Sequence, residues 1–216
     1  MIYVVAGTKG GTGKSTIATN LTVLLTVRGR DVLLVDADEQ ETSSDFTTLR
    51  DTALEGKTGY TAVKLTGPTL RTQVLNQKER YQDIVIDVGG RDTGSQRAAL
   101  TVADVVLVPF RPKSFDVWTL EKVEALIEEA RSFNPTLQAF SFLNDAFTNP
   151  AVKDNQLAAE ALQQSELISF LGVIVHSRKA FSDATSAGLG VIELENQDAK
   201  AIHEITTLFD TVTKLA

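Results

Sequence analysis

The stretch Ala6-Gly7-Thr8-Lys9-Gly10-Gly11-Thr12-Gly13-Lys14-Ser15-Thr16 limits the folds open to this chain more than any other. The apolar run Ile2-Tyr3-Val4-Val5-Ala6 precedes it and reads as a short buried strand. Ile17, Leu21, Leu24 and Leu25 follow at helical spacing, and Gly29 closes the pattern. A glycine-rich loop between a strand and a helix N-terminus is built to hold phosphate. Its glycines let backbone N–H groups turn towards an anion, and the helix adds its positive end. Lys14 has the reach for β- and γ-phosphate oxygens, and the Ser15 hydroxyl suits Mg²⁺. Gly10, Gly11, Thr12, Gly13, Lys14, Ser15 and Thr16 are therefore the candidate nucleotide-binding residues.

The rest of the chain extends this unit rather than interrupting it. Strand-like apolar runs occupy residues 31–36, 83–88, 105–109, 137–143 and 171–176, continuous in apolar residues as buried parallel strands tend to be. A weaker candidate edge strand covers residues 60–64. Helical patterns fall between them: residues 43–54, 69–78, 95–103, a helix capped by Ser114 or Asp116 and running to Phe133, one opened by Asn149-Pro150, and a final helix over 197–215. Alternating strands and helices with the phosphate loop first predict one α/β domain over residues 1–216, a three-layer P-loop NTPase fold with a mainly parallel sheet.

Three further carboxylates follow from this order. Asp36 and Asp38 close the second strand, and carboxylates at the carboxyl end of such a strand lie at the mouth of the nucleotide crevice. Asp87 ends the strand over 83–88, the Walker B arrangement in which a carboxylate holds Mg²⁺, usually through water. Gly89 and Gly90 then let the backbone approach the γ-phosphate. His176 has no partner at metal-ligand spacing, and Trp118 suits packing.

Composition removes several classes of function. The 216 residues contain no cysteine, which excludes disulfides, thiolate nucleophiles and iron–sulfur ligation. No apolar stretch approaches the length of a membrane span, and the N-terminal run lacks the basic flank of a signal peptide. A cytoplasmic protein is expected. The net charge of −7 argues against coating DNA by bulk attraction, although a local basic patch stays open.

K-G-G-T-G-K-S-T, with Thr8 at the usual first glycine and a second lysine at Lys9, resembles the deviant Walker A box of the ParA/MinD family of partition and positioning ATPases. The resemblance extends through Asp36-Ala37-Asp38-Glu39-Gln40, where Glu39 replaces the usual proline, and through Pro109, Pro112 and Asp116. It continues in Arg178, Phe181, Ala184, Gly188 and Val191 of the C-terminal third. It implies that Lys9 crosses a dimer interface to the partner's ATP and that Asp38 positions the attacking water. It also implies that Asp36 supports the Mg²⁺ shell or Lys14. Asn144 falls where several relatives hold adenine through a side-chain amide; it equally suits a strand-end turn.

Without an N-terminal DNA-reading extension before the loop, the match is to short ParA proteins acting with a separate partner. The implied function is a weak, partner-stimulated ATPase that forms a homodimer on ATP. That dimer binds non-specific DNA of the nucleoid and segregates a plasmid or chromosome cargo with a centromere-binding or adaptor protein. Arg178, Lys179 and Lys200 are the candidate DNA contacts by position in relatives, in a segment that holds more acids than bases. The final helix carries too few basic residues on its polar face for a membrane surface. Other readings are the same switch with a non-DNA cargo, a metabolic P-loop ATPase such as an amidoligase, and a nucleotide-holding regulatory module without useful hydrolysis.

Overall fold

Strand β1 (Ile2–Val5) and the residue after it alternate cleanly in the computed structural model, which describes residues 1–90, 93–112 and 119–215. Ile2, Val4 and Ala6 join one apolar layer, while Tyr3 and Val5 join the layer on the opposite face. A strand buried on both faces needs apolar residues at every position, which is why these runs are continuous. Each such side chain taken fully out of water contributes about 1.5–3 kcal/mol.

The first half of the chain continues with α1 (Lys14–Val27), β2 (Val32–Ala37), α2 (Thr42–Ala53), β3 (Thr61–Lys64), α3 (Leu70–Gln77), β4 (Asp83–Val88) and α4 (Gly94–Leu100). The second half holds β5 (Val105–Phe110), α5 (Leu120–Phe133), β6 (Gln138–Ala146), α6 (Asp154–Gln163), β7 (Ser169–His176), α7 (Lys179–Ser186), a 3-10 turn (Val191–Glu193) and α8 (Ala199–Leu215). The strands form one seven-stranded sheet in the order β3-β2-β4-β1-β5-β6-β7. All pairings are parallel.

Helices cover both faces, giving three layers. Ile17 and Leu21 of α1, Phe46 of α2, Ala184 of α7 and Ile205, Leu208, Phe209 and Val212 of α8 pack on one side. Leu70 of α3, Leu100 of α4, Ile127 of α5 and Leu162 of α6 pack on the other. No helix among the described residues is long and apolar enough to cross a membrane. β3 is the edge strand expected, short and largely exposed.

Two local expectations change. α6 starts at Asp154 rather than at Asn149-Pro150, because Asn149 closes a turn, accepting from Ala151 N at 3.0 Å and Val152 N at 3.1 Å. β6 runs past Leu143 to Ala146, since Ala146 still pairs with His176 of β7 beyond two register shifts. α7 carries too short an apolar pattern to be read from periodicity. The caps Ser114 and Asp116, with Trp118, Arg91 and Asp92, lie outside the described residues.

Candidate functional site

Parallel register assembles the site. Asp36 of β2 pairs with Asp87 of β4, and Asp87 pairs with Val5 of β1, so both carboxylates stand at the carboxyl ends of adjacent central strands. The chain leaves β1 towards β2 on one side of the sheet, while the β4-to-β5 crossover passes β1 to the other. The reversal opens a crevice where the loop after β1 emerges.

In that loop, Gly11 and Gly13 take φ of +76° and +86°, a region side chains rarely adopt. Gly13 is also the N-cap residue of α1, leaving the first N–H groups of the helix open to the crevice. The cavity there is about 950 Å³, walled by Lys9, Lys14, Ser15, Asp38, Gly89 and Thr93 among others. Lys14 is only 6% exposed, and its ammonium donates to the Lys9 carbonyl at 2.9 Å. Burial lowers its pKa, while Asp87 and Asp38 pull the other way. The hydroxyls of Thr8 and Thr12 and Oδ1 of Asp87 are buried with no hydrogen-bond partner among the described residues. A buried cation, open helix N–H groups and orphaned polar atoms at one point fit a nucleotide phosphate with its divalent cation.

Asp87 is fully buried, and Ser43 Oγ donates to its Oδ2 at 2.6 Å. Burial pushes its pKa up to about 6, against the Ser43 and Ser15 hydroxyls and Lys14, which hold it down. Asp36 is committed elsewhere. Its Oδ1 accepts from Asp38 N at 3.1 Å, and its Oδ2 accepts from Ser44 N and Ser44 Oγ, both at 2.8 Å. It thereby caps α2, whose N-cap residue Glu41 sits at φ +56° and makes no side-chain cap. These hydrogen bonds position Asp38 and the start of α2. Asp38 remains partly exposed at the cavity wall, with Oδ1 accepting from Gln40 N at 3.1 Å.

The two glycines after β4 press on these groups. A Cβ at Gly89 would lie 3.0 Å from Asp38 Oδ1, and one at Gly90 would lie 2.6 Å from Gly10 N. Any side chain at Gly90 drives the phosphate loop back, because the atoms it meets are backbone.

Asn144 lies within β6, not at a strand-end turn. Its Nδ2 donates to the Thr12 carbonyl at 2.7 Å, and a Cβ on Gly13 would stand 2.2 Å from that nitrogen. The side chain braces the phosphate loop from behind.

The three candidate DNA contacts have different surroundings. Arg178 folds onto Glu204, with Nη2 at 2.6 Å and Nε at 3.0 Å. Lys179, 84% exposed, pairs with Asp183 one turn on at 2.6 Å. Lys200 is exposed near the start of α8, with no ion pair among the described residues.

Residues 3–191 match the CobQ/CobB/MinD/ParA nucleotide binding domain. The chain belongs to that family. Among relatives of this family, the Maintenance of carboxysome distribution protein A of Halothiobacillus neapolitanus is 28% identical over 96% of this chain and 94% of its own. Apo McdA of Cyanothece superposes with a TM-score of 0.81 at 17% identity, covering 98% of both chains. A plasmid partition protein of Borrelia burgdorferi bound to AMPPNP superposes with a TM-score of 0.78 at 19% identity, over 100% of this chain and 99% of that one. The likenesses to solved structures are likenesses of fold: the seven-stranded parallel sheet with helices on both faces is the architecture of this family.

Sequence inspection missed Ser43 and Ser44, which bind Asp87 and Asp36 from the start of α2. The available signal was their place directly after the Asp36–Gln40 segment. It also missed Arg50, 3% exposed, which joins α2 to Glu193 at 2.7 Å and to the carbonyls of Thr58 and Gly188. No local pattern marks Arg50, because its carboxylate partner Glu193 and the Gly188 carbonyl lie more than 130 residues away.

Proposed function

We propose that this chain is an ATP-dependent dimerising switch that positions a cargo over non-specific DNA with a separate partner protein. The observation that carries this reading is the cradle itself. Buried Lys14 and the open start of α1 face one cavity whose rim carries a second lysine, Lys9, and fully buried Asp87, whose charge acts on Lys14, has no partner for its Oδ1 among the described residues.

In this reading the backbone from Gly10 to Thr16 and Lys14 hold the phosphates of ATP. Lys14 exchanges its bond to the Lys9 carbonyl for phosphate oxygens. Ser15 and Asp87 hold Mg²⁺, which when bound neutralises phosphate charge. Ser43 fixes the Asp87 carboxylate, and Asp36 fixes the backbone of Asp38. Asp38 orients a water for hydrolysis. Lys9 reaches across to the nucleotide of a second copy, so that loss of the γ-phosphate releases the dimer. Gly89 and Gly90, in contact with Asp38 and Gly10, transmit that loss to α4.

Similarity over nearly the whole length to a carboxysome distribution protein favours a protein assembly as cargo. A plasmid or chromosome is the second reading, supported by 31% identity over 53% of this chain to Protein ParA of Rhizobium radiobacter. DNA contact draws on Lys200 and Lys179 more than on Arg178, whose charge Glu204 offsets within the protein.

The test is binding to random-sequence duplex DNA with ATP, ADP or no nucleotide at two salt concentrations, for the native chain and Lys9→Ala. ATP-dependent binding that weakens with salt and is lost in the variant is expected. Absence of binding in every nucleotide state would overturn the switch reading.

A further inference from the structure

Helix α2 presents Ser43 and Ser44 to two carboxylates of the site, yet little apolar surface holds it. Its buried residues are Ser43, Phe46 and Arg50. Phe46 packs into the core, and the Thr47 hydroxyl meets the Tyr60 hydroxyl at 3.1 Å. These two contacts lie in one turn, so by themselves they leave the tilt of the helix weakly fixed. Arg50 supplies a second point.

From Ser43 to Arg50 is about 10 Å along the helix axis. There the buried guanidinium grips Glu193 with both prongs, Nη1 to Oε2 at 2.7 Å and Nη2 to Oε1 at 2.8 Å. Nη1 also donates to the Gly188 carbonyl at 3.2 Å, and Nε donates to the Thr58 carbonyl at 2.8 Å. A planar fork used on both prongs fixes direction as well as distance. The chain at Gly188 lies directly on the helix: a Cβ there would stand 2.4 Å from Arg50 N.

The other half of this latch is tied to the phosphate-loop helix. Glu193 Oε2 also accepts from Gly190 N at 2.8 Å. Val191 N donates to Oδ1 of buried Asn20 in α1 at 2.9 Å, and Asn20 Nδ2 donates to the Thr16 carbonyl at 2.8 Å. The latch therefore sets α2 against α1. At the far end of α2, Ser43 holds Asp87, while Ser44 holds Asp36 and Asp36 holds the backbone of Asp38.

We propose that Arg50 and Glu193 are positioning residues for ATP hydrolysis, placing α2 so that Ser43 aims Asp87 at Mg²⁺ and Asp36 aims Asp38 at the attacking water. The inference rests on the reading of the first cavity as a site for ATP and Mg²⁺. Capture of the phosphates by the loop backbone and Lys14 does not pass through α2.

The experiment is phosphate release from ATP by the full chain across a Mg²⁺ titration, with ATP binding measured separately in EDTA and each value scaled to folded protein. Arg50→Lys keeps the charge and loses the fork. It should lower kcat by about tenfold and raise the Mg²⁺ needed for half-maximal rate by about threefold or more, as for groups that orient a metal's ligands. ATP binding in EDTA should stay within about twofold of native. Glu193→Gln should act in the same direction, and it leaves Arg50 its two carbonyls should the lysine variant fail to fold. In a Ser43→Ala background, Arg50→Lys should no longer shift the Mg²⁺ requirement, because Asp87 is then released from α2. It should still lower kcat through Asp38.

Native kcat and Mg²⁺ requirement in both single variants would overturn the proposal. So would a Mg²⁺ shift that persists in the Ser43→Ala background. Loss of ATP binding in EDTA in step with loss of rate would also overturn it, since that is the mark of a merely structural role. A native chain that binds ATP and releases no phosphate with Mg²⁺ fails the hydrolysis reading and takes the latch with it. Native hydrolysis with unaltered variants fails the latch alone.

Discussion

Gly13 and Asn144 are 131 positions apart in sequence, yet the structure predicts that they do not act independently. Gly13→Ala has two costs in the nucleotide-free protein. Placing a side chain at φ +86° costs about 1–2 kcal/mol. Its Cβ also falls 2.2 Å from Asn144 Nδ2, so the amide must swing away from the Thr12 carbonyl. Stranding that buried carbonyl costs about 1–3 kcal/mol more, for a total of about 2–5 kcal/mol. Asn144→Ala alone loses the same bond, about 1–3 kcal/mol. In the double variant the bond can be lost only once and the clash is gone. It should therefore sit near Gly13→Ala alone, about 1–3 kcal/mol better than the sum of the singles.

Urea unfolding of the four proteins without nucleotide reads this coupling directly, with no phosphate contact to confuse it. Additivity to within about 0.5 kcal/mol would refute the claim that Asn144 braces the loop through Thr12.

Two further outcomes follow from buried charges. Asp87→Asn should stabilise the nucleotide-free protein while abolishing stabilisation by ATP with Mg²⁺. The folded-state pKa of Asp87 is raised from 3.8 to about 6, so the fold disfavours its ionised form, by on the order of 2–3 kcal/mol. That penalty is complete above about pH 6 and fades as pH falls towards 4, so thermal melts of the two proteins should converge on the acid side; an Asn variant melting below the native chain at pH 7.5 would refute this. Arg50→Met should lower stability by about 3 kcal/mol, since it breaks a buried pair with Glu193 at 2.7 Å. Adding Glu193→Leu should recover part of that loss, and an unfolding free energy from urea titration lowered by less than about 1 kcal/mol in the single variant would count against the latch.

Strand positions were legible in the sequence because buried parallel strands must be apolar at every residue. The runs over 83–88 and 105–109 fall almost residue for residue on β4 and β5. The start of α6 was misplaced because an Asn-Pro pair signals a helix entry and a turn alike, and only the contacts around it select one. α7 was not legible: its eight residues bury just Ala180 and Ala184, too few to establish a period.

By itself the sequence determined the glycine-rich loop between β1 and α1 that the proposed function uses as a phosphate cradle. Every residue from Gly10 to Thr16 is contiguous, and a glycine-rich turn between a strand and a helix has few other uses for its open N–H groups. It also determined that carboxylates close the strands beside that loop. What those carboxylates do was decided by tertiary structure. Asp36 and Asp87 both end apolar strands and stand level in the sheet, but Asp36 turns onto Ser44 while Asp87 keeps an oxygen without a partner. The pairings of Asn144 with Thr12, His176 with Glu204 and Arg50 with Glu193 join residues 28 to 143 positions apart. Hydrogen bonds of that span leave no periodic trace along the chain, because their geometry exists only after the sheet has set the register of its strands.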